Sequence, residues 1–146
     1  MYVGVIIVLN YFKNEILKES FINSINKLDS VKVCLVCNSS SEFALERLSE
    51  IAEKCHNTDV VNVKRKKSPV YSIRVGARYM SNKFNFKYLG FIVGMDNADI
   101  LNTIKKYTIH LEAILKMNKI EKENSTKQTF YKSIFSITEY IERVTL

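Results

Sequence analysis

The sequence predicts an α/β protein, a Rossmann-like three-layer sandwich with a mainly parallel sheet of about four strands and a C-terminal helical pair. The main observation is an alternation along the chain. Short, β-branched and almost continuously apolar segments, typical of strands buried on both faces of a parallel sheet, take turns with segments of helical spacing. This order requires crossover connections, which place helices on both faces of the sheet.

Length and composition favour one globular domain. The chain has 146 residues, of which 47% are hydrophobic and 25% charged, with only four Gly and one Pro. A chain of this size buries roughly 68–70% of its unfolded surface, and its composition indicates neither disorder nor a fibrous repeat. We expect an α/β region over 1–98 and a helical pair over 99–146, packed on the same domain.

The α/β region contains four predicted strands with three helical segments between them. The predicted strands are VGVIIVL (3–9), VKVCLVC (31–37), DVVNVK (59–64) and KYLGFIV (87–93). The first two helices have apolar stripes around Phe21 and Leu48. The third is predicted to begin at Ser68 as N-cap with Pro69 at the first helical position.

The last third of the chain predicts an αα-hairpin. One apolar stripe continues at helical spacing over about five turns from Ile100 to Leu115. A polar break over 118–128 follows. A second stripe then predicts the last helix, with Phe130, Ile134, Ile137, Ile141 and Val144. These helices could also pair with another subunit, which would make the protein a homo-oligomer.

Charge and cysteine content indicate which partners and which cellular location to expect for this protein. The formal net charge of +7 favours an anionic partner. Nucleic acid is disfavoured, because the aromatic residues mostly follow core spacing instead of accompanying basic residues on one surface. No apolar run reaches the ~20 residues of a membrane helix. Three cysteines without an export signal indicate reduced thiols and a cytoplasmic location.

Four segments resemble those of the family-2 glycosyltransferases, enzymes of the GT-A fold. The segments are VIIVLNYFKNEILKESFINSI (5–25), VKVCLVCNSSSE (31–42), SIRVGARYM (72–80) and FKYLGFIVGMDNAD (86–99). They occur in the family's order and spacing over roughly the first hundred residues. The resemblance is therefore to the N-terminal nucleotide-binding half of such an enzyme, in a degenerate or truncated form.

The resemblance implies a site for a nucleotide-sugar donor. Its nucleotide-binding residues would be Leu9, Asn10, Tyr11, Cys37, Asn38 and Arg74. Asp96 would be the remaining ligand of a divalent cation, Mn²⁺ or Mg²⁺, that neutralises the charge developing on the diphosphate. The implied activity is transfer of a sugar from the donor; the catalytic base is not identified.

The departures from the family pattern support an alternative. Cys37 stands where the family has a ribose-binding Asp, and a thiol is a poor hydrogen-bond acceptor. Val93 and Met95 stand where the family has its metal-binding carboxylates. The alternative is a catalytically inactive glycosyltransferase-like module for binding or assembly.

The sequence contains two further motifs, a C-x-x-C pair and a basic run. The C-x-x-C pair Cys34 and Cys37 lies on a predicted strand, where residues three apart point to opposite faces, so joint metal binding is disfavoured. The basic run KRKK (64–67), next to the start of a helix, predicts either a phosphate-binding loop or an ordinary solvated loop.

Overall fold

The computed structural model describes residues 2–9, 19–28, 31–39, 41–64, 67–93, 97–124 and 134–145. The strands are β1 (Tyr2–Leu9), β2 (Val31–Cys37), β3 (Thr58–Asn62), β4 (Phe86–Ile92) and β5 (Ile134–Ser136). The helices are α1 (Glu19–Asn26), α2 (Glu42–Lys54), α3 (Pro69–Lys83), α4 (Asn97–Ile109), α5 (Leu111–Asn124) and α6 (Ile137–Thr145).

The strands form one five-stranded sheet in the order β3-β2-β1-β4-β5, and every pairing is parallel. The α/β fold class is therefore confirmed, with five strands where about four were predicted. Strand β1 is central. Its residues Val3 to Leu9 pair in register with 31–37 of β2, and Val3 to Ile7 pair with 88–92 of β4.

The sheet separates two apolar cores, one on each face. On the front face Val5, Ile7 and Leu35 pack against apolar residues of α1, α2, α4, α5 and α6. On the back face Ile6 and Val36 pack against α3, the one described helix on that side. This is the three-layer arrangement, with very unequal helix layers.

Helix α3 lies close to the sheet because of one glycine. A Cβ on Gly76 would come within 2.8 Å of the Ile6 side chain and 2.9 Å of the Val36 side chain. The start of α3 is as predicted: Ser68 is the N-cap, its Oγ accepts a hydrogen bond from the Tyr71 amide (3.2 Å), and Pro69 follows.

The predicted C-terminal helical pair is wrong in two respects. The stripe from Ile100 to Leu115 belongs to two helices that separate at His110, next to Thr108 and Ile109, and all three residues have modest helix propensity. Ile134, expected in the last helix, lies in β5. A three-residue strand is too short to show a period of two, so the helical spacing from Ile134 onward concealed it.

The connection from β4 to β5 differs from the one before it in the face that its described helices occupy. Both move across the sheet in the same direction. However, α3 crosses over the back face, whereas α4 and α5 pack on the front face with α1 and α2. The described helices of the two connections thus lie on opposite faces, whereas crossovers that share one direction normally share one face, because about 98% of them are right-handed.

A buried asparagine fastens α1 to the sheet. The Asn57 side chain donates from Nδ2 to the carbonyl oxygens of Ile25 (3.3 Å), Leu28 (3.1 Å) and Val31 (3.0 Å). The backbone carbonyl oxygen of Asn57 accepts a hydrogen bond from the Val33 amide at 2.8 Å. One residue thus satisfies carbonyls at the end of α1 and in the turn that leads into β2.

Polar and charged groups mark the outer strand β3. Asp59 accepts a hydrogen bond from the Lys83 ammonium of α3 at 2.9 Å. Asn62 ends the strand, and its Oδ1 accepts from the Lys64 amide at 2.9 Å. Lys64 has a φ of 70°, a left-handed conformation that prevents β3 from continuing.

A polar network joins α5 to α6. Tyr140 donates its hydroxyl hydrogen to Glu121 and accepts from the Asn118 amide at 3.3 Å. Arg143 forms an ion pair with Glu121 at 2.5 Å. The Tyr140 hydrogen bond is the main reason why the pKa of Glu121 is lowered; burial opposes the shift and Arg143 adds to it.

We predict that Asn57→Ala lowers the free energy of unfolding by about 1–3 kcal/mol, because buried carbonyls lose their donor. Urea denaturation measures this change, with the exposed Asn82→Ala on α3 as the matched control. An Asn57→Ala variant as stable as the control would contradict the anchoring role.

The Glu121 network predicts a pH dependence. A carboxyl whose pKa is lowered on folding stabilises the protein above its unfolded pKa of about 4.3, and this contribution disappears as the pH falls through the folded value. Tyr140→Phe should therefore flatten the stability profile below about pH 5. Denaturation at a series of pH values tests this, and the exposed Glu123→Gln should keep the wild-type slope. Equal slopes in Tyr140→Phe and wild type would refute the linkage.

Candidate functional site

The carboxyl ends of the parallel strands form the edge where a ligand site is expected. From β1 the chain proceeds to β2 and β3 on one side and later to β4 and β5 on the other. Such a reversal opens a crevice between the two central strands, outside their carboxyl ends. In this sheet the reversal occurs between β1 and β4, where Ile7 and Ile92 form the last registered pair, so a ligand site is expected outside these two strand ends.

The predicted nucleotide residues on β1 and β2 lie beneath this edge. The Leu9 and Cys37 side chains belong to the front core and are 2% and 0% exposed. Their backbones continue the sheet, since the Asn38 amide donates to the Leu9 carbonyl at 3.1 Å and the Val63 amide donates to the Cys37 carbonyl at 3.1 Å. Asn10, Tyr11 and Asp96 lie outside the described residues.

Asn38 connects the two loops that follow β2 and β3. Its Nδ2 donates to the Lys67 carbonyl oxygen at 2.9 Å, and its Oδ1 accepts from the Lys67 amide at 2.8 Å. The side chain thus bonds to both the N–H and the C=O of a residue 29 positions away, as the backbone of a neighbouring strand would. A carboxylate could accept from Lys67 but could not donate to it. The amide therefore fits this position in a way that Asp would not.

The connection brings two helix N-termini to the same edge. Ser41 caps α2, and its Oγ accepts from the Ala44 amide at 3.3 Å, while Ser39 Oγ accepts from the Ser41 amide at 3.1 Å. Helix α3 begins directly after Lys67. Both helix dipoles therefore direct positive potential towards this edge.

Basic side chains add to that potential. Within the described part of the KRKK run, Lys64 and Lys67 are exposed, and the Lys67 ammonium lies 5.6 Å from the centre of the half-exposed Tyr71 ring. Arg65 and Lys66 lie outside the described residues. An anionic ligand such as a phosphate suits this combination of amide groups and ammonium charge; the phosphate-binding interpretation of the loop stays a prediction.

Arg74 lies further along α3, on the back face. It is exposed and lines a groove with Val70, Ile73, Phe91 and Ile134. This groove is not predictable from the helical spacing, because that spacing places Ile134 in a helix. Recognition of Ser136 and Ile137 as the boundary between a strand and a helix would have been the signal that reveals it.

The cysteines of the C-x-x-C pair point to opposite faces, as predicted. Cys34 belongs to the back core and Cys37 to the front core. Burial raises the pKa of the Cys34 thiol to about 12, with a smaller contribution from Asp59, and burial also raises the pKa of Cys37. Both thiols are therefore neutral at physiological pH and unsuited to nucleophilic or redox chemistry.

A metal site would need several carboxylates or imidazoles close together. The described residues contain no group of three His, Cys, Asp or Glu side chains that could hold an ion. Val93 follows β4 directly, and Asp99 is exposed in the first turn of α4. A cation held by Asp96 stays a prediction of the resemblance.

We predict that Asn38→Ala lowers the free energy of unfolding by about 1–3 kcal/mol, because the Lys67 amide and carbonyl lose their partners. Faster amide exchange should accompany the loss and concentrate around Lys67 and Ser68. Chemical denaturation and hydrogen exchange measure the two effects, with the exposed Asn102→Ala on α4 as control. A stable variant with unchanged exchange at Lys67 would show that the two loops are independent.

The carboxyl edge combines the topological switch point, two helix N-termini, a buried asparagine linkage and exposed lysines.

In the described part of the chain, no helix combines the length and the hydrophobicity that a bilayer crossing needs. Comparison with known proteins found no matching family model, no similar curated protein and no similar solved structure.

Proposed function

We propose that this protein binds a nucleotide-sugar at the carboxyl edge of its sheet and transfers the sugar in the manner of a family-2 glycosyltransferase. The observation that carries the proposal is the central position of β1 between β2 and β4. Three of the segments that resemble the family contain β1, β2 and β4, which are neighbours in the sheet, so these strands end at one edge. A first strand at the side of the sheet would have separated them.

The chemistry of the edge supports a diphosphate ligand. The N-termini of α2 and α3 offer backbone N–H groups and positive dipole ends, and Lys64 and Lys67 offer exposed ammonium groups. These groups can bind the phosphates and stabilise negative charge that develops on a leaving nucleotide. Asn38 has a positioning role, since it holds Lys67 and the start of α3 against the β2 loop.

A second candidate is a glycosyltransferase-like module that binds or assembles without catalysis. The complete burial of Cys37 favours it, because this side chain does not reach the surface where a ribose would lie. Assembly through the C-terminal helices is favoured by Ile109 and Ile120, whose exposed fractions are 76% and 48%. Analytical ultracentrifugation measures the oligomeric state and so tests the assembly form of this candidate. A strict monomer that also lacks nucleotide affinity would contradict an assembly module.

Thermal-shift titration with UDP, GDP and their sugars, with and without Mn²⁺, tests the proposed function. A ligand at a hundred times its Kd should stabilise the fold by about 2.7 kcal/mol, which corresponds to a rise in Tm of roughly 5–10 °C. Lys67→Gln should reduce the response, because it removes an ammonium beside the N-terminus of α3.

The matched control is Lys119→Gln, an exposed lysine on α5. It should respond to nucleotide as the wild type does. A response that depends on Mn²⁺ and on Lys67 would support transfer from a metal-bound donor, and a nucleotide response without Mn²⁺ would support binding alone. No response to any of these ligands would refute both the transferase and the nucleotide-binding module.

A further inference from the structure

A groove of about 250 Å³ lies on the back face of the sheet, between α3 and the strands β4 and β5. Its lining consists of Val70, Ile73, Arg74, Phe91 and Ile134. The volume is close to the lower end of ~300 Å³ for sites that bind small molecules. Among these described residues, four are apolar and Arg74 carries a positive charge, so the groove combines an apolar floor with a cationic group.

The topology explains why this groove is open. A helix is about 10 Å wide and neighbouring strands lie about 4.8 Å apart, so a single helix covers roughly two strands. Helix α3 is held by Gly76 over Ile6 of β1 and Val36 of β2. A right-handed β4–β5 crossover would have covered Phe91 and Ile134, but α4 and α5 pack on the front face. Both side chains remain partly exposed.

The charge beside the groove is positive. Arg74 is exposed and Arg78 follows it one turn later, and α3 contains no acidic residue. Arg74 already interacts with another group of the protein. A guanidinium nevertheless has five N–H donors, so it can keep that interaction and still bind a carboxylate or phosphate.

We propose that this groove binds a single-chain anionic amphiphile, with the apolar tail on Ile73, Phe91 and Ile134 and the anionic head at Arg74. Removal of the tail from water supplies the non-directional part of the affinity. The guanidinium selects the sign of the head group. The described lining lies on the back face and includes neither Lys64 nor Lys67, on which the nucleotide proposal rests. Arg74, which the resemblance assigns to the nucleotide, is assigned to the anionic head group in this proposal.

Calorimetric titration with decanoate below its critical micelle concentration tests the proposal. The matched ligand is decyltrimethylammonium, which carries a similar tail and the opposite charge. We expect saturable one-to-one binding of decanoate and affinity weaker by about tenfold or more for the cation, a difference of about 1.4 kcal/mol or more. Addition of UDP should leave the decanoate affinity unchanged, which keeps this result distinct from that of the nucleotide titration.

Two variants locate the site. Arg74→Gln should weaken decanoate binding by about tenfold or more. Val70→Asp should also weaken it; because 57% of Val70 is exposed, this change should leave the fold intact. Arg47→Gln is the control, since Arg47 lies on α2, on the other face, with its guanidinium 5.0 Å from the Phe43 ring.

Three results would overturn the proposal. The first is absence of decanoate binding at millimolar concentration. The second is an equal affinity of wild type and Arg74→Gln, which would mean that the charge has no role. The third is binding to vesicles of anionic phospholipid without binding of monomeric decanoate, which would identify a membrane surface interaction instead of a groove.

Discussion

The structure depends on strand β1, whose two faces must both be buried under helices and whose two edges must both be paired. In β1, Val5, Ile6 and Ile7 are completely buried and the strand has hydrogen-bonded neighbours on both sides. A strand with apolar side chains on both faces needs helices in front of the sheet and behind it. This requirement produces the three layers. It also places the ends of β1 and β4 side by side, which is the topology that predicts a ligand site at the carboxyl edge.

Two buried asparagines hold the sheet to its loops at opposite ends. Asn57 fastens the end of α1 beside the start of β3, and Asn38 fastens the start of α3 beside the end of β2. Each uses an amide to satisfy backbone groups that the sheet and helices leave without partners. Within the described cores, the Cys34 and Cys37 thiols are buried and neutral, which makes them unsuited to nucleophilic chemistry.

The sequence was informative where one local signal decided the structure. Apolar β-branched runs located the four long strands, with the bounds of β2 correct at both ends, and the Ser68–Pro69 pair located the start of α3. The sequence was uninformative where contacts between residues far apart in the chain decided the structure. Strand β5 has three residues and derives its identity from its pairing with β4. The partner of Asn38 is 29 residues away, and the groove at Arg74 arises from the side on which a later connection crosses the sheet.

The two outer strands have a consequence for how this protein meets other copies of itself. Strand β3 carries the charged pair Asp59–Lys83 and ends at a left-handed residue, and β5 is only three residues long. Charges, a sharp end and shortness are the features by which natural sheets avoid pairing edge to edge. Growth of the sheet by addition of strands is thus blocked on both sides. Among the described surfaces, contacts with another chain are left to the helices and to the part of the back face beside β4 and β5 that α3 does not cover.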